Sequence, residues 1–267
     1  MKKRFLLEVD GGIIRQENKL KYLIKRYFIS SASAWLSSGD KTNEYLTYYG
    51  ADKNNLYTYQ FTSLWGKDIC KKVYDKETKK SIREELDIKE KNVVISIGQF
   101  IYRKGFDILL KAAKSLNDTG VYIVGSKPTK EYEKIISDYG IKNIYFPGFK
   151  KKEELKKYYE AADLFVLPTR EDIWGLVINE AMANSLPVIT TDNCVAGLEL
   201  VENDVNGYIV PVDNVKELAD KINKILSNED LKNKMAGNSL DKIKSYTIEN
   251  MVKRHIDVFN QFLGEKS

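Results

Sequence analysis

From residue 91 onward, short apolar runs alternate with stretches whose apolar residues recur at helical spacing, the signature of a parallel sheet with crossover helices. The strands expected are Val93 to Gly98, Val121 to Val124, Ile144 to Phe146, Leu164 to Pro168, Pro187 to Thr190 and Gly207 to Val210. Most are rich in Val and Ile and end in Gly, Pro or Thr, as buried strands feeding tight loops do. Between them, Phe106 to Leu116 puts Ile108, Leu109, Ala112, Ala113 and Leu116 on one helical face, and Tyr132 to Tyr139, Glu153 to Ala161 and Val215 to Leu226 keep the same period. The pattern predicts a doubly wound α/β domain.

Residues 1 to about 65 are less regular, with strands expected at Phe5 to Val9, Phe28 to Ser31 and Leu56 to Tyr59 and a helix near Thr42 to Tyr49. Each strand-helix-strand unit takes roughly thirty residues, so this segment reads as the tail of a domain. Lys67 to Lys91, dense in Lys, Glu and Asp, reads as a charged linker containing a helix. Met251, Val252, His255, Ile256, Val258, Phe259 and Phe262 mark an amphipathic closing helix over Ile248 to Phe262. The expected division is therefore 1–73 for the first domain and the start of the linker, 74–246 for the α/β domain, and 247–267 for the closing helix.

With 267 residues, 43% of them hydrophobic and 30% charged, the chain is long enough to bury a sizeable core and too apolar for disorder. Two cysteines, Cys70 and Cys194, lie far apart, which suggests neither a disulfide framework nor a zinc site and fits a reducing cytosol. Met1-Lys2-Lys3-Arg4 imitates the start of a signal peptide, but Glu8 and Asp10 interrupt the apolar stretch at once. No run approaches the ~18 apolar residues of a membrane span. Residues 1 to 30 hold eight Lys or Arg against three Asp or Glu, within a net charge of +5. That excess is either a solvated face or a surface that meets anionic lipid or an anionic substrate. Nucleic acid is not an expected partner, because bases and acids interleave and no recognition motif is present.

Two constellations carry chemistry. The first, Gly98-Gln99-Phe100-Ile101-Tyr102-Arg103-Lys104-Gly105, joins the first strand of the α/β domain to its first helix, where open parallel sheets bind ligands. Arg103 offers a planar fork of donors and Lys104 a compact ammonium, suited to a diphosphate, and Gly98 lets the backbone come close. A solvated loop is the other reading, since Arg-Lys pairs are common in a chain with 43 basic residues. The second runs from Pro168 to Ala183 and includes Glu171, Asp172, Gly175, Leu176, Val177 and Glu180. It follows a buried strand and opens a helix, so the free amides after Gly175 favour an anion. Asp172 and Glu180 are expected to face one pocket, where carboxylates accept hydrogen bonds from vicinal sugar hydroxyls. Alternatively, these acids only favour a helix amino terminus.

Taken together, these residues resemble the retaining glycosyltransferases of sequence family 4, whose hallmark is Glu-x7-Glu followed by Ala-x-Ala-x-Gly-x-Pro-Val, with an upstream Gly-x-x-x-x-Arg-Lys-Gly. Here the hallmark reads Asp172-x7-Glu180, then Ala181-Met182-Ala183-Asn184-Ser185-Leu186-Pro187-Val188, and the match spans roughly residues 93 to 263. The resemblance implies a GT-B fold: a Rossmann-like carboxyl-terminal donor domain with an incomplete Rossmann-like amino-terminal acceptor domain, represented by segments such as Asp10-Gly11-Gly12 and Tyr48-Tyr49-Gly50. It implies that Arg103 and Lys104 bind the donor diphosphate, that Glu180 holds the ribose, that Asp172 contacts the transferred sugar with Glu171 as its substitute, that Gly175, Leu176 and Val177 approach sugar and phosphates through their backbone, and that Gly148-Phe149-Lys150 touches the base. Asp in place of the first Glu, and Ser185 in place of Gly, depart from the family pattern. The sole histidine, His255, falls in the closing helix, where packing suits it better than chemistry.

The implied reaction moves a sugar from a nucleoside diphosphate sugar, with UDP the guess for the nucleotide, to a saccharide or lipid-linked acceptor with retention, in surface polysaccharide or glycolipid assembly. No metal and no cofactor are expected. The expected setting is cytoplasmic, with peripheral contact at the inner membrane face. The alternatives are a truncated or split transferase that binds a nucleotide sugar and needs a separately encoded amino-terminal half, and a nucleotide-sugar epimerase on the same architecture.

Overall fold

The structure is a computed structural model that describes residues 4–264. Of the basic amino-terminal cluster, Met1, Lys2 and Lys3 lie outside the described residues. Two compact units divide the chain: Met1–Gly66 with Ser245–Ser267, and Lys67–Lys244.

In the first unit, strands β1 (Leu6–Val9), β2 (Ala34–Ser37) and β3 (Leu56–Thr58) form a parallel sheet in that order, joined by helices α1 (Lys19–Ser30) and α2 (Asp40–Tyr48). Asn18 starts α1 by accepting from the Lys21 amide at 2.9 Å. This capped helix runs through Phe28, Ile29 and Ser30, so the strand expected at Phe28 to Ser31 is its last turn. The β-prone Tyr27-Phe28-Ile29 run yields to a helical frame in which Ile29 is buried beside Trp35 and accepts the Trp35 indole N–H at 2.8 Å. The strand comes a few residues later as Ala34–Ser37, buried along its whole length.

The second unit runs α3 (Lys76–Glu85), β4 (Asn92–Gly98), α4 (Phe106–Ala113), β5 (Thr119–Gly125), α5 (Lys130–Tyr139), β6 (Ile144–Gly148), α6 (Lys152–Ala161), β7 (Leu164–Leu167), α7 (Leu176–Ala183), β8 (Val188–Thr191), α8 (Val195–Leu200), β9 (Gly207–Val210), α9 (Val215–Leu226) and α10 (Glu229–Ile243). Its six strands are all parallel, in the order β6-β5-β4-β7-β8-β9. The chain winds outward from β4 to β6, returns to β7 beside β4, and winds the other way to β9. The reversal places the carboxyl ends of β4 and β7 side by side, the position at which a parallel sheet leaves a crevice.

Alternate strand residues face opposite layers. Val94, Val121, Ile123, Leu164, Val166 and Ile189 pack with α4 and α9, while Phe165 meets Tyr159 of α6 on the other side. Every residue of β7 is buried, and each such side chain contributes about 2 kcal/mol.

The stretch read as a linker is part of this unit. Arg83 and Lys79 of α3 reach the carbonyls of Ala161 and Ala162 at 2.8 and 2.7 Å, and the Cys70 amide donates to Ala183 O at 2.8 Å. Where the sequence placed the division after residue 73, the Cys70 amide and the Asp68 ion pair with Lys152 at 2.8 Å tie residues 67–73 to the second unit, and the division falls after Gly66.

The closing helix α11 (Ile248–Gly264) groups with the first unit. Its Val258 is buried against Leu36 and Tyr59, and Arg254 Nε donates to Thr58 O at 3.0 Å. His255 lies with Nδ1 2.8 Å from Met251 O and Nε2 3.0 Å from Glu8 Oε1, a bracing position. Among the described residues no helix is long and apolar enough to cross a membrane.

Candidate functional site

The loop after β4 is anchored by Phe100, which is buried and packs its ring 5.0 Å from Phe106, 4.9 Å from Tyr132 and 5.5 Å from Phe146. With that aromatic root fixed, the chain makes a tight turn over Tyr102–Lys104 and enters α4 through Gly105. Gly105 has φ of 66°, and a Cβ there would lie 2.0 Å from Pro168 O in the loop after β7. Only glycine allows this approach. Gly105→Ala should therefore destabilise the protein by about 3 kcal/mol, read as a lowered urea midpoint; an unchanged midpoint would mean that the two loops can part freely.

The loops are bound to each other through polar groups as well. Arg103 O accepts from the Thr169 hydroxyl at 2.8 Å and from the Arg170 amide at 2.7 Å, and Arg103 Nη1 returns a bond to Glu171 O at 2.9 Å. Arg170 grips Asp107 with two bonds of 2.8 Å, donates to Tyr102 O at 2.7 Å, lies over the Tyr102 ring at 4.0 Å and pairs through Nε with Asp213 at 2.8 Å. Arg170 thus holds the Arg-Lys turn in place, a role its position in the sequence motif did not disclose.

Asp172 is fixed by its backbone, which accepts from the Val195 amide at 3.0 Å and donates to Asn193 O at 3.0 Å. Its carboxylate meets Lys104 Nζ at 2.5 Å and Arg103 Nη1 at 3.5 Å. Lys104 and Asp172 are mostly buried, whereas the Arg103 side chain is 43% exposed. The structure thus joins Arg103, Lys104 and Asp172 into one cluster, where the sequence suggested an acidic pair facing a cationic one.

Glu180 stands apart from that cluster in its bonding. It lies on α7, and its Oε2 accepts from Tyr159 Oη on α6 at 2.8 Å. Burial pushes its carboxyl above the ordinary range, opposed by the Tyr159 hydrogen bond and the charge of Lys152. Tyr159 escaped the sequence reading because, at helical spacing in an apolar face, a tyrosine looks like packing alone.

Helix α7 begins at Gly175, whose φ of 98° turns the chain so that Leu176 and Val177 open the first turn with no side chain capping it. Beneath Gly175 lies the Cys194 thiol, pushed up to about 12 first by burial and then by Asp172, and therefore unreactive. Gly98 ends β4 beside the Lys104 side chain. Phe149, in the loop after β6, is 81% exposed. No group of three or more His, Cys, Asp or Glu side chains among the described residues converges to hold a metal ion. The arrangement offers a cationic cluster and uncapped helix amides at one sheet edge, which suits a phosphorylated ligand, and a buried carboxylate suited to hydroxyl donors.

The family model described as glycosyl transferases group 1 matches residues 78–241. An uncharacterized glycosyltransferase of Methanocaldococcus jannaschii is 27% identical over 191 residues, covering 68% of this chain and 48% of the relative. The lipopolysaccharide glucosyltransferase WaaG of Escherichia coli is 24% identical over 183 residues, covering 66% of this chain and 48% of WaaG. The alignments thus take in about half the length of these curated relatives. Among solved structures, Anabaena HepE in complex with UDP has a TM-score of 0.82 at 19% identity, covering 98% of this chain and 72% of that one. The parallel-sheet α/β architecture is that of GT-B glycosyltransferases.

Proposed function

Because the chain belongs to the glycosyl transferases group 1 family, we propose that it serves the transfer of a sugar from a nucleoside diphosphate sugar to a saccharide or lipid-linked hydroxyl, with retention at the anomeric carbon, as in sequence family 4. The single observation that carries this reading is the convergence of Arg103 and Lys104 with the loop after β7 at the sheet's reversal point. Negative charge grows on the diphosphate as the glycosidic bond to the donor breaks. Arg103, Lys104 and the first-turn amides of α7 stabilise that charge, with no metal required. Lys104 exchanges the Asp172 carboxylate for a phosphate oxygen, which leaves Asp172 or Glu171 to accept from a sugar hydroxyl. Glu180 receives the ribose hydroxyls, Gly98 gives the phosphates room, and Phe149 stacks on the base.

UDP is the nucleotide we favour, in line with the UDP bound by HepE. Surface polysaccharide or glycolipid assembly is the setting we favour, in line with the similarity to the lipopolysaccharide glucosyltransferase WaaG of Escherichia coli, and we place it at the cytoplasmic face of the membrane. The test is a thermal-shift panel of nucleotides and nucleotide sugars, followed by transfer assays with and without EDTA and proton NMR of the product anomer. UDP or a UDP-sugar should raise the melting temperature, since a ligand that prefers the folded state stabilises it, and EDTA should leave both binding and transfer unchanged. No shift with any nucleotide diphosphate would refute the reading. Binding and turnover are separable outcomes: a chain that takes the nucleotide sugar but transfers nothing is a binding module that acts with a complementary polypeptide.

A further inference from the structure

We infer that Tyr159 is the positioning residue of the nucleotide site: its hydroxyl fixes the orientation of the Glu180 carboxylate so that the remaining acceptor positions face the ribose diol. The inference rests on the donor reading above and adds to it a residue outside both sequence motifs.

Tyr159 is only 2% exposed, so its ring has no freedom to swing away from Glu180. One side of that ring lies 6.2 Å from Phe165 of β7, the strand that feeds the Asp172 loop, which ties the phenol to the same framework as the diphosphate cluster. The hydroxyl donates to Glu180 Oε2 at 2.8 Å. An ionised carboxylate has roughly four lone-pair positions. With one taken by a rigid donor the plane of the group is set, and the rest remain for ligand hydroxyls. A neutral carboxyl would forfeit part of that acceptor capacity. Burial favours the neutral form of Glu180, and the groups that act against it are the Tyr159 hydroxyl and the charge of Lys152, both from α6. Lys152 is exposed and pairs with Asp68, so water and a competing carboxylate weaken its influence. The tyrosine is the buried and directly bonded group.

The probe is UDP-glucose, whose diphosphate does not titrate in the range used, with affinity measured by calorimetry from pH 5 to pH 8. In the unaltered protein affinity falls as the pH drops through the Glu180 titration. Tyr159→Phe keeps the ring and removes the donor, so the midpoint should move to higher pH and affinity on its acid side should fall about tenfold. Site-specific 3-fluorotyrosine at position 159 keeps the packing with a stronger donor and should move the midpoint the other way, which covers the case of a phenylalanine variant that does not fold. An unmoved midpoint in both proteins overturns the positioning role. Glu180→Gln removes the titrating group and should abolish the midpoint. If that variant instead binds with the unaltered profile, the assignment of Glu180 to the nucleotide fails, and the positioning inference falls with it.

Discussion

Lys104→Ala should weaken UDP binding about a hundredfold in calorimetry. A charged donor to a phosphate oxygen contributes roughly 1.5–3 kcal/mol, and the lysine also neutralises Asp172, its partner at 2.5 Å. Once the ammonium is gone, the Asp172 carboxylate faces the incoming diphosphate with only Arg103 beside it, 3.5 Å away. Lost attraction and new repulsion then act together. About 3 kcal/mol in all corresponds to the hundredfold figure. The companion variant Asp172→Asn separates the two contributions: it leaves Lys104 in place without its carboxylate partner, so UDP should bind as tightly as before or a few times tighter, while sugar transfer falls. A Lys104→Ala protein that melts normally and still holds UDP with full affinity would remove the diphosphate from this loop.

The largest expected effect on stability lies at the other edge of the same sheet. Asp163, 3% exposed just before β7, binds Arg83 Nη2 at 2.7 Å and Lys79 Nζ at 3.2 Å, faces Lys232 Nζ at 3.5 Å and accepts from the Val93 amide at 2.9 Å. Burial by itself would raise its pKa; Lys79, Arg83, Lys232 and the amide outweigh burial and hold it below the ordinary carboxylate range. The members do not gain equally. Burial pulls the Lys79 ammonium down despite Asp163, so the favourable balance sits with the carboxylate. Asp163→Ala leaves three cations clustered without their common counter-charge and should cost about 3–5 kcal/mol in urea unfolding.

The sign of the pH dependence follows from the depressed pKa. The contribution is complete above the unfolded-state value near 3.9 and is lost as pH falls through the lower folded-state value. The unaltered protein should therefore lose stability steeply in that acid range, and the variant should lose less. A variant within about 1 kcal/mol of the unaltered protein would show that this cluster is a solvated surface feature. A recess of about 720 Å³ opens beside these residues at the amino ends of β4 and β7, away from the loops of the candidate site. UDP affinity of the folded variant should accordingly be unchanged.

The second unit was largely legible in the sequence because its strands are continuous Val and Ile runs buried on both faces, as at Val93-Val94-Ile95 and Leu164-Phe165-Val166. Their ends are punctuated by Gly98 and Pro168, and Gly175 marks the start of α7, so the loops that carry chemistry stood at known positions. In the first unit the same rule misled, because Tyr27-Phe28-Ile29 has strand composition but completes a helix that Asn18 had already started. Local preference is weak against a cap followed by three turns of helix. Within the candidate site, loop position and the family resemblance singled out Arg103, Lys104, Asp172 and Glu180. They left unread what each side chain touches, because Lys104 with Asp172 and Tyr159 with Glu180 are pairings made by the sheet, between residues 68 and 21 positions apart.

The sharing of one carbonyl, Arg103 O, between the Thr169 hydroxyl and the Arg170 amide means that the two loops cannot open separately. On the proposed reading, a nucleotide arriving here would meet a landing platform that is already assembled. Little backbone disorder remains to be frozen on contact, so association should proceed at the pace of charge-steered diffusion and slow with added salt rather than with a shape change.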